Sequence, residues 1–179
     1  MKILVPLAPG FEEMEAITVI DILRRAELNI VTAAISENPV KGSHNIKITA
    51  DTMLNENDKY NAIVLPGGMP GTNNLKDDKR IISLIKSINK SGGITAAICA
   101  APIVLAEAGV LSGKKYTCYP GFEDDIKNAF FQPESVVADG NIITSRGAGT
   151  AIPFALKLVE ILAGKASSSE VEKSIMWPY

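Results

Sequence analysis

Gly93-Ile94-Thr95-Ala96-Ala97-Ile98-Cys99-Ala100-Ala101-Pro102 decides how this chain folds: an apolar strand pattern runs into a thiol and, within three residues, a helical pattern begins. A strand that turns abruptly into a helix holds the turning residue in a cramped backbone conformation. The residues two before and two after it must then be small, and Ala97 and Ala101 are. The pattern matches a nucleophile elbow with alanines for the glycines and a cysteine for the serine. A buried structural cysteine is the ordinary reading of a thiol in an apolar segment, but the spacing of small residues around Cys99 favours the elbow.

Outward from this turn, short β-rich runs alternate with longer periodic segments. Strands are expected near Ile3–Val5, Ile30–Ala34, Ile46–Thr49, Ala62–Leu65, Ile94–Ile98, Tyr116–Cys118, Ser135–Val137 and Ile142–Thr144. Helices are expected at Glu12–Ala26, Asp78–Ser91, Pro102–Ala108, Gly149–Leu162 and Ser169–Met176, the last opened by a capping box in Ser167-Ser168-Ser169-Glu170. The alternation predicts an α/β protein, a parallel sheet with helices on both faces. Ligands of such sheets bind beyond the carboxyl ends of the strands. Leu7–Phe11, Pro66–Asn73, Cys99–Ala101, Tyr119–Phe122 and Arg146–Thr150 would lie there, and Asn38–Asn45 and Asn55–Tyr60 read as surface connections.

The 179 residues suit one domain with a single buried core, residues 1–179. A hydrophobic content of 46% with 21% charged residues is that of a globular chain. A formal net charge of −2 supplies no positive field for nucleic acid or an anionic membrane. The apolar N-terminus is broken by Pro6 and Pro9 and followed by Glu12, Glu13 and Glu15, unlike a signal peptide, and no apolar run reaches membrane-span length. The chain therefore reads as cytoplasmic, and its two cysteines as thiols rather than a disulfide framework.

A cysteine of ordinary pKa ~8.5 is roughly 3% thiolate at pH 7, and one lowered to ~5.5 is roughly 97%. A helix starting near Ala101 or Pro102 is expected to supply part of such a lowering. Cys118, in Tyr116-Thr117-Cys118-Tyr119, reads mainly as a strand residue, with a resolving thiol as the alternative. The single histidine, His44, is the one residue that could complete a Cys-His dyad; a solvated loop histidine is the plainer reading. A carboxyl is the better partner for the thiol. Glu15 shares a helix face with Val19, Ile22 and Ala26, where burial would raise its pKa and leave it protonated beside a thiolate. Glu12 and Glu13 are explained by the preference of acids for a helix N-terminus. Pro66-Gly67-Gly68-Met69-Pro70-Gly71 either offers backbone N–H groups to an oxyanion or is a tight turn. Arg146, in Ser145-Arg146-Gly147-Ala148-Gly149-Thr150, binds either an anion or a backbone carbonyl. No His/Cys/Asp/Glu cluster shows metal-ligand spacing, and Glu123-Asp124-Asp125 reads as a solvated face.

Glu12-Glu13-Met14-Glu15, Leu65-Pro66-Gly67-Gly68, Ala96-Ala97-Ile98-Cys99-Ala100-Ala101-Pro102 and Thr144-Ser145-Arg146-Gly147-Ala148-Gly149-Thr150 together resemble the DJ-1/PfpI superfamily, in particular its DJ-1/ThiJ-like branch. The match spans nearly the whole chain in order. It implies a flavodoxin-like three-layer sandwich, a homodimer, Cys99 as reactive thiol with protonated Glu15 as its partner, an anion pocket built by the Gly68 and Ala100 amides, and Arg146 near that pocket and the dimer interface. Ala100 replaces the histidine that follows the cysteine in the protease-like branch, and the late histidine of the amidotransferase relatives is missing. Tyr119 stands where several DJ-1-like proteins have histidine and is a poor base at neutral pH. Ala148 replaces a common proline, and His44 stands where some relatives have arginine.

The resemblance and the elbow together imply an enzyme of glyoxalase III or deglycase type, acting without a cofactor on small aldehydes such as methylglyoxal or on glycated substrates. The alternative is a redox sensor or chaperone-like protein whose Cys99 is oxidised to a sulfinate. A thiamine-related role ranks last, since no thiazole- or phosphate-specific motif is present.

Overall fold

The computed structural model describes residues 1–55 and 57–177. Glu56, inside the expected Asn55–Tyr60 connection, and Pro178-Tyr179 lie outside the described residues. Among the described residues the chain runs β1 (Lys2–Leu7), α1 (Glu13–Arg25), β2 (Asn29–Ala34), β3 (Val40–Lys41), β4 (Lys47–Ile48), β5 (Thr52–Met53), β6 (Ala62–Leu65), α2 (Gly71–Asp77), α3 (Lys79–Lys90), β7 (Ile94–Ile98), α4 (Pro102–Glu107), β8 (Lys115–Tyr116), β9 (Phe130–Phe131), β10 (Val136–Asp139), β11 (Ile142–Ser145), α5 (Ala151–Ala163) and α6 (Lys165–Ser174).

Seven strands form the central sheet in the order β10-β11-β7-β6-β1-β2-β5. Every pairing is parallel except that of β10 with β11 at one edge. Central strands of such a sheet are buried on both faces and therefore apolar at successive positions, and β1 and β6 are buried along almost their whole length. Side chains alternate between two cores. Ile3, Val5 and Leu7 pack with Val19, Leu23, Phe154 and Leu158 on the side of α1 and α5. Leu4, Ile63 and Leu65 pack with Ile81, Ile85 and Val104 on the side of α3 and α4. Each fully buried aliphatic side chain contributes about 1.5–3 kcal/mol, so these two layers carry most of the hydrophobic stabilisation.

Helix α1 forms because Val19, Ile22 and Leu23 recur on one face and are buried. Its N-terminus is capped by the Glu12 side chain, which accepts the Glu15 N–H at 2.7 Å. Glu13 and Glu15 in the first turn and Arg24 and Arg25 in the last complement the helix dipole.

The structure differs from the sequence expectations at several elements, among them the short strands β3, β5 and β9, which have no counterpart among the expected strands. The final helix starts at Lys165 because Gly164, at φ 91°, ends α5 and launches α6 at once. Ser167–Ser169 then fall inside the helix, and Ser168 Oγ donates to the Leu156 carbonyl at 3.1 Å instead of capping. The strand expected at Ile46–Thr49 shortens to β4, which pairs with β3 in a ribbon outside the main sheet. Tyr116–Cys118 retains only Lys115–Tyr116 as strand, paired with β9, so Cys118 lies just beyond it. Helix α2 has no counterpart among the expected helices: its sequence Gly-Thr-Asn-Asn-Leu-Lys-Asp has no apolar period and buries only Gly71, Thr72 and Leu75. No helix among the described residues is long and apolar enough to cross a membrane.

Parallel register points the carboxyl ends of β1, β6, β7 and β11 the same way. The turns after Leu7, Leu65, Ile98 and Ser145 are thereby gathered into one rim.

Candidate active site

Cys99 occupies the turn between β7 and α4 at φ 64°, the left-handed region that costs a non-glycine residue about 1–3 kcal/mol. Two backbone bonds hold it there. Its N–H donates to the Ser145 carbonyl at 3.0 Å, and its own carbonyl accepts the Tyr119 N–H at 2.8 Å. The flanking Ala97 and Ala101 are fully buried, while the thiol remains partly exposed. The elbow read from the sequence is present.

Glu15 projects from the first turn of α1 and is fully buried. Its Oε2 accepts the Gly67 N–H at 2.8 Å. Oε1 is buried without a formed hydrogen bond. The carboxyl stands beside the Cys99 thiol, close enough that each shifts the titration of the other. Burial pushes the Glu15 carboxyl up to about 7, helped by the charge of Glu12 and opposed by the hydrogen bonds from Gly67 and Cys99.

For Cys99 itself the expected lowering is reversed. Burial, then the charge and hydrogen bonding of ionised Glu15, push the thiol up to about 12, against the backbone N–H groups of Ala100 and Gly68 that face the sulfur. Helix α4 has only six residues. The two groups are better described as a pair that shares a proton. When Glu15 carries it, the charge that opposed the thiolate is gone, and the two amides are left to stabilise sulfur as an anion.

Gly67 and Gly68 play different parts. The Gly67 N–H is committed to Glu15, so of the expected oxyanion donors only Gly68 and Ala100 face the reactive sulfur. A Cβ on Gly67 would lie 2.6 Å from Cys99 Cβ, which shows how closely this turn approaches the elbow. Gly68, at φ 89°, has the left-handed backbone that suits glycine, and a Cβ there would meet the Glu12 N at 2.4 Å.

Tyr119 is half-exposed beside the elbow, its ring edge-on to Phe122 and packed over Gly147. The Arg146 guanidinium donates to the Pro133 carbonyl at 3.3 Å and lies over the Phe131 ring. Cys118 is fully buried and its thiol is pushed up to about 12, by burial first and then by the charge of Glu123.

His44 is not spent on the thiol. Its ring lies 3.0 Å from Glu13 and 3.9 Å from Glu12. Glu12, Glu13 and His44 thus form a donor cluster that the linear spacing concealed, since His44 is contributed by the β3–β4 loop. Both Glu13 oxygens are already occupied: Oε1 accepts the N–H groups of His44 and Ile46, and Oε2 faces Ser43 Oγ and the His44 ring. Burial pushes the Glu13 carboxyl up, but the hydrogen bonds from His44 and the backbone outweigh it and leave it below the usual range. Glu13 is the residue the sequence reading undervalued. Its only sequence signal is its position two residues before Glu15.

A thiol on an elbow, a buried carboxyl beside it and two amides facing the sulfur can form and hold a sulfur anion and move one proton. The DJ-1/PfpI family model matches residues 1–161. The chain belongs to the DJ-1/PfpI family. It is 45% identical to protein dj-1beta of Drosophila melanogaster, over 98% of this chain and 97% of the relative. The crystal structure of Drosophila DJ-1beta matches with a TM-score of 0.95, covering 99% of this chain and 98% of that one. Toxoplasma gondii DJ-1, solved in an oxidised form, matches with a TM-score of 0.95 at 36% identity over 99% of each chain. The glutathione-independent glyoxalase DJR-1.2 of Caenorhabditis elegans is 36% identical over 92% of this chain and 89% of its own length. The three-layer α/β architecture expected from the resemblance is that of these DJ-1 structures.

Proposed function

We propose that this DJ-1/PfpI protein converts small α-oxoaldehydes such as methylglyoxal to 2-hydroxy acids, using Cys99 and Glu15 and no cofactor. The observation that carries the reading is the pairing of Glu15 with a sulfur faced by the Gly68 and Ala100 amides. The Cys99 thiolate adds to the aldehyde carbon, giving a hemithioacetal whose oxygen takes the proton held by Glu15 and leaves Glu15 as a carboxylate. Glu15 then removes the proton from that carbon, and the adjacent ketone carbon receives one through an enediol. The product is a thioester of the 2-hydroxy acid. Water cleaves the thioester, so methylglyoxal plus water gives lactate and free thiol, with no net oxidation. A glyoxalase among the relatives supports this reaction class. Incubation of the pure protein with methylglyoxal is expected to yield lactate, and Cys99→Ala to yield none; lactate formation by Cys99→Ala at the parent rate would exclude the mechanism.

A second reading draws on the oxidised form of the Toxoplasma relative. In it the same amides and protonated Glu15 hold Cys99 as a sulfinate after peroxide oxidation. Intact mass after mild peroxide separates the readings: a gain of two oxygens at Cys99 supports the sensor, and an unchanged mass counts against it.

We also propose a homodimer that covers the outer face of α1, where Met14 and Ile17 are exposed, together with exposed Ile46 of the β3–β4 loop. Light scattering is expected to give twice the chain mass for the parent and the single-chain mass for Ile17→Glu; a monomeric parent would refute the assembly.

A further inference from the structure

The Gly68 amide that faces Cys99 belongs to a turn held between two neighbours, with Glu15 and Cys99 on one side of it through Gly67 and residues 10–12 on the other. The turn rests on residues 10–12. Glu12 N–H donates to the Gly67 carbonyl at 2.8 Å, and Gly71 N–H donates to the Gly10 carbonyl at 3.1 Å. The approach is so close that a Cβ on Gly68 or on Gly71 would meet the backbone of this segment at 2.4 and 2.5 Å respectively. Residues 10–12 are held from their other side by the β3–β4 loop: Gly10 N–H donates to the Lys41 carbonyl at 2.7 Å, and Ser43 N–H to the Phe11 carbonyl at 2.9 Å. A side chain of α1 fastens that loop as well. The Glu13 carboxylate is almost fully buried and accepts His44 N–H at 2.7 Å and Ile46 N–H at 3.3 Å, with Ser43 Oγ at 3.2 Å and the His44 ring at 3.0 Å. Gly42 lies so near that a Cβ there would overlap the Glu13 carboxyl carbon, at 2.3 Å.

We propose that Glu13 is a positioning residue: by latching the β3–β4 loop to α1 it clamps residues 10–12 and so sets the Gly68 amide against the Cys99 sulfur. Glu13 touches no reacting atom in this scheme. It acts through three stacked layers of backbone, loop on segment and segment on turn. The inference rests on Cys99 being the reacting group of the proposed function, but it concerns the sulfur rather than the fate of a substrate.

The test is the pH–rate profile for alkylation of Cys99 by iodoacetamide, on the full chain, at a temperature where circular dichroism shows each variant folded. Cys99→Ala gives the background, including any labelling of Cys118. If the Gly68 amide loses its place, the thiolate loses a donor; for Glu13→Ala the profile is expected to move up by about one pH unit, which is about a tenfold slower rate on its rising limb. Glu13→Gln keeps an oxygen for the two backbone N–H groups and is expected to recover most of that rate, a rescue that a general loss of stability would not produce. A folded Glu13→Ala with the parent profile overturns the proposal. Where Glu13→Ala does not fold, Gly42→Ala decides, since its Cβ would lie 2.3 Å from the Glu13 carboxyl carbon and force the loop and the carboxylate apart: a slower alkylation supports the clamp, and a parent rate overturns it. Alkylation needs no turnover, so a protein inactive on methylglyoxal would refute the proposed reaction while leaving this result readable.

Discussion

Glu15→Gln is expected to lower the turnover of methylglyoxal by about 10²–10⁴-fold, the range typical of a lost general acid–base. The same change should make Cys99 more readily alkylated above pH 7. The two effects have opposite signs because Glu15 does two things. As a carboxylate it opposes formation of a neighbouring thiolate, so its removal frees the sulfur. As the group that exchanges protons with the bound substrate it cannot be replaced by an amide. Glutamine keeps an oxygen to accept the Gly67 N–H and offers an N–H where Oε1 now stands without a formed hydrogen bond. Stability should change as well. The Glu15 carboxyl is raised from 4.5 to about 7 in the folded protein, by burial above all. Between these values the folded chain holds a proton that the unfolded chain has released. The contribution of Glu15 to stability is therefore fullest below about pH 4.5 and is lost as the pH rises through about 7, by about 3 kcal/mol in total. Urea melts of Glu15→Gln should lack that decline. A variant that turns over methylglyoxal at the parent rate would remove Glu15 from the reaction, and one that retains the full decline would place the proton elsewhere.

How far the site could be read from the chain depends on the distance over which each property is set. The elbow is local: the small residues at 97 and 101 and the apolar run before Cys99 act within a few positions, and the backbone at φ 64° follows from them. Glu15 was legible through its register with Val19 and Ile22, since a helix face that buries those residues also buries a carboxyl. The parallel sheet was legible in its continuous apolar strands. The titration of Cys99 was not, because it depends on the charge of a residue 84 positions away. The loss of the Gly67 amide to Glu15 is likewise a contact between turns 52 residues apart. The Glu13 latch joins α1 to a loop whose own sequence, Gly42-Ser43-His44-Asn45, has no pattern that names a partner. Helix α2 escaped notice for a different reason: its turns are held against the rim largely by backbone bonds, such as Thr72 N–H to the Gly68 carbonyl at 2.8 Å, and these leave no apolar period.

Gly67→Ala tests the close approach on which the whole pair depends. The added methyl would lie 2.6 Å from Cys99 Cβ, 2.8 Å from Glu15 Oε2 and 2.9 Å from the Ile98 carbonyl oxygen. Cβ atoms are not found so near their neighbours, and none of the three can easily retreat. Cys99 is pinned by its two backbone bonds, the Ile98 carbonyl accepts the Ala101 N–H at 3.1 Å, and Glu15 Oε2 receives the Gly67 N–H. The turn itself must then move away from the elbow. Overpacking of this kind costs about 1–3 kcal/mol. At about 2–4 °C per kcal/mol for a chain of this length, the melting temperature should fall by several degrees. The catalytic loss should be larger than the stability loss, since the displaced turn carries both the Gly68 amide and the bond that holds Glu15. A shift near 1 Å in a reacting group costs about 10²-fold in rate. Gly149→Ala supplies the control: it lies in the 3₁₀ turn Ala148–Thr150 after β11, and a Cβ there meets nothing within 4 Å. That variant should keep the parent melting temperature and rate. If Gly67→Ala matches it in both, the turn has room that the geometry denies, and the spacing of Glu15 from Cys99 must be held by something other than the contact at Gly67.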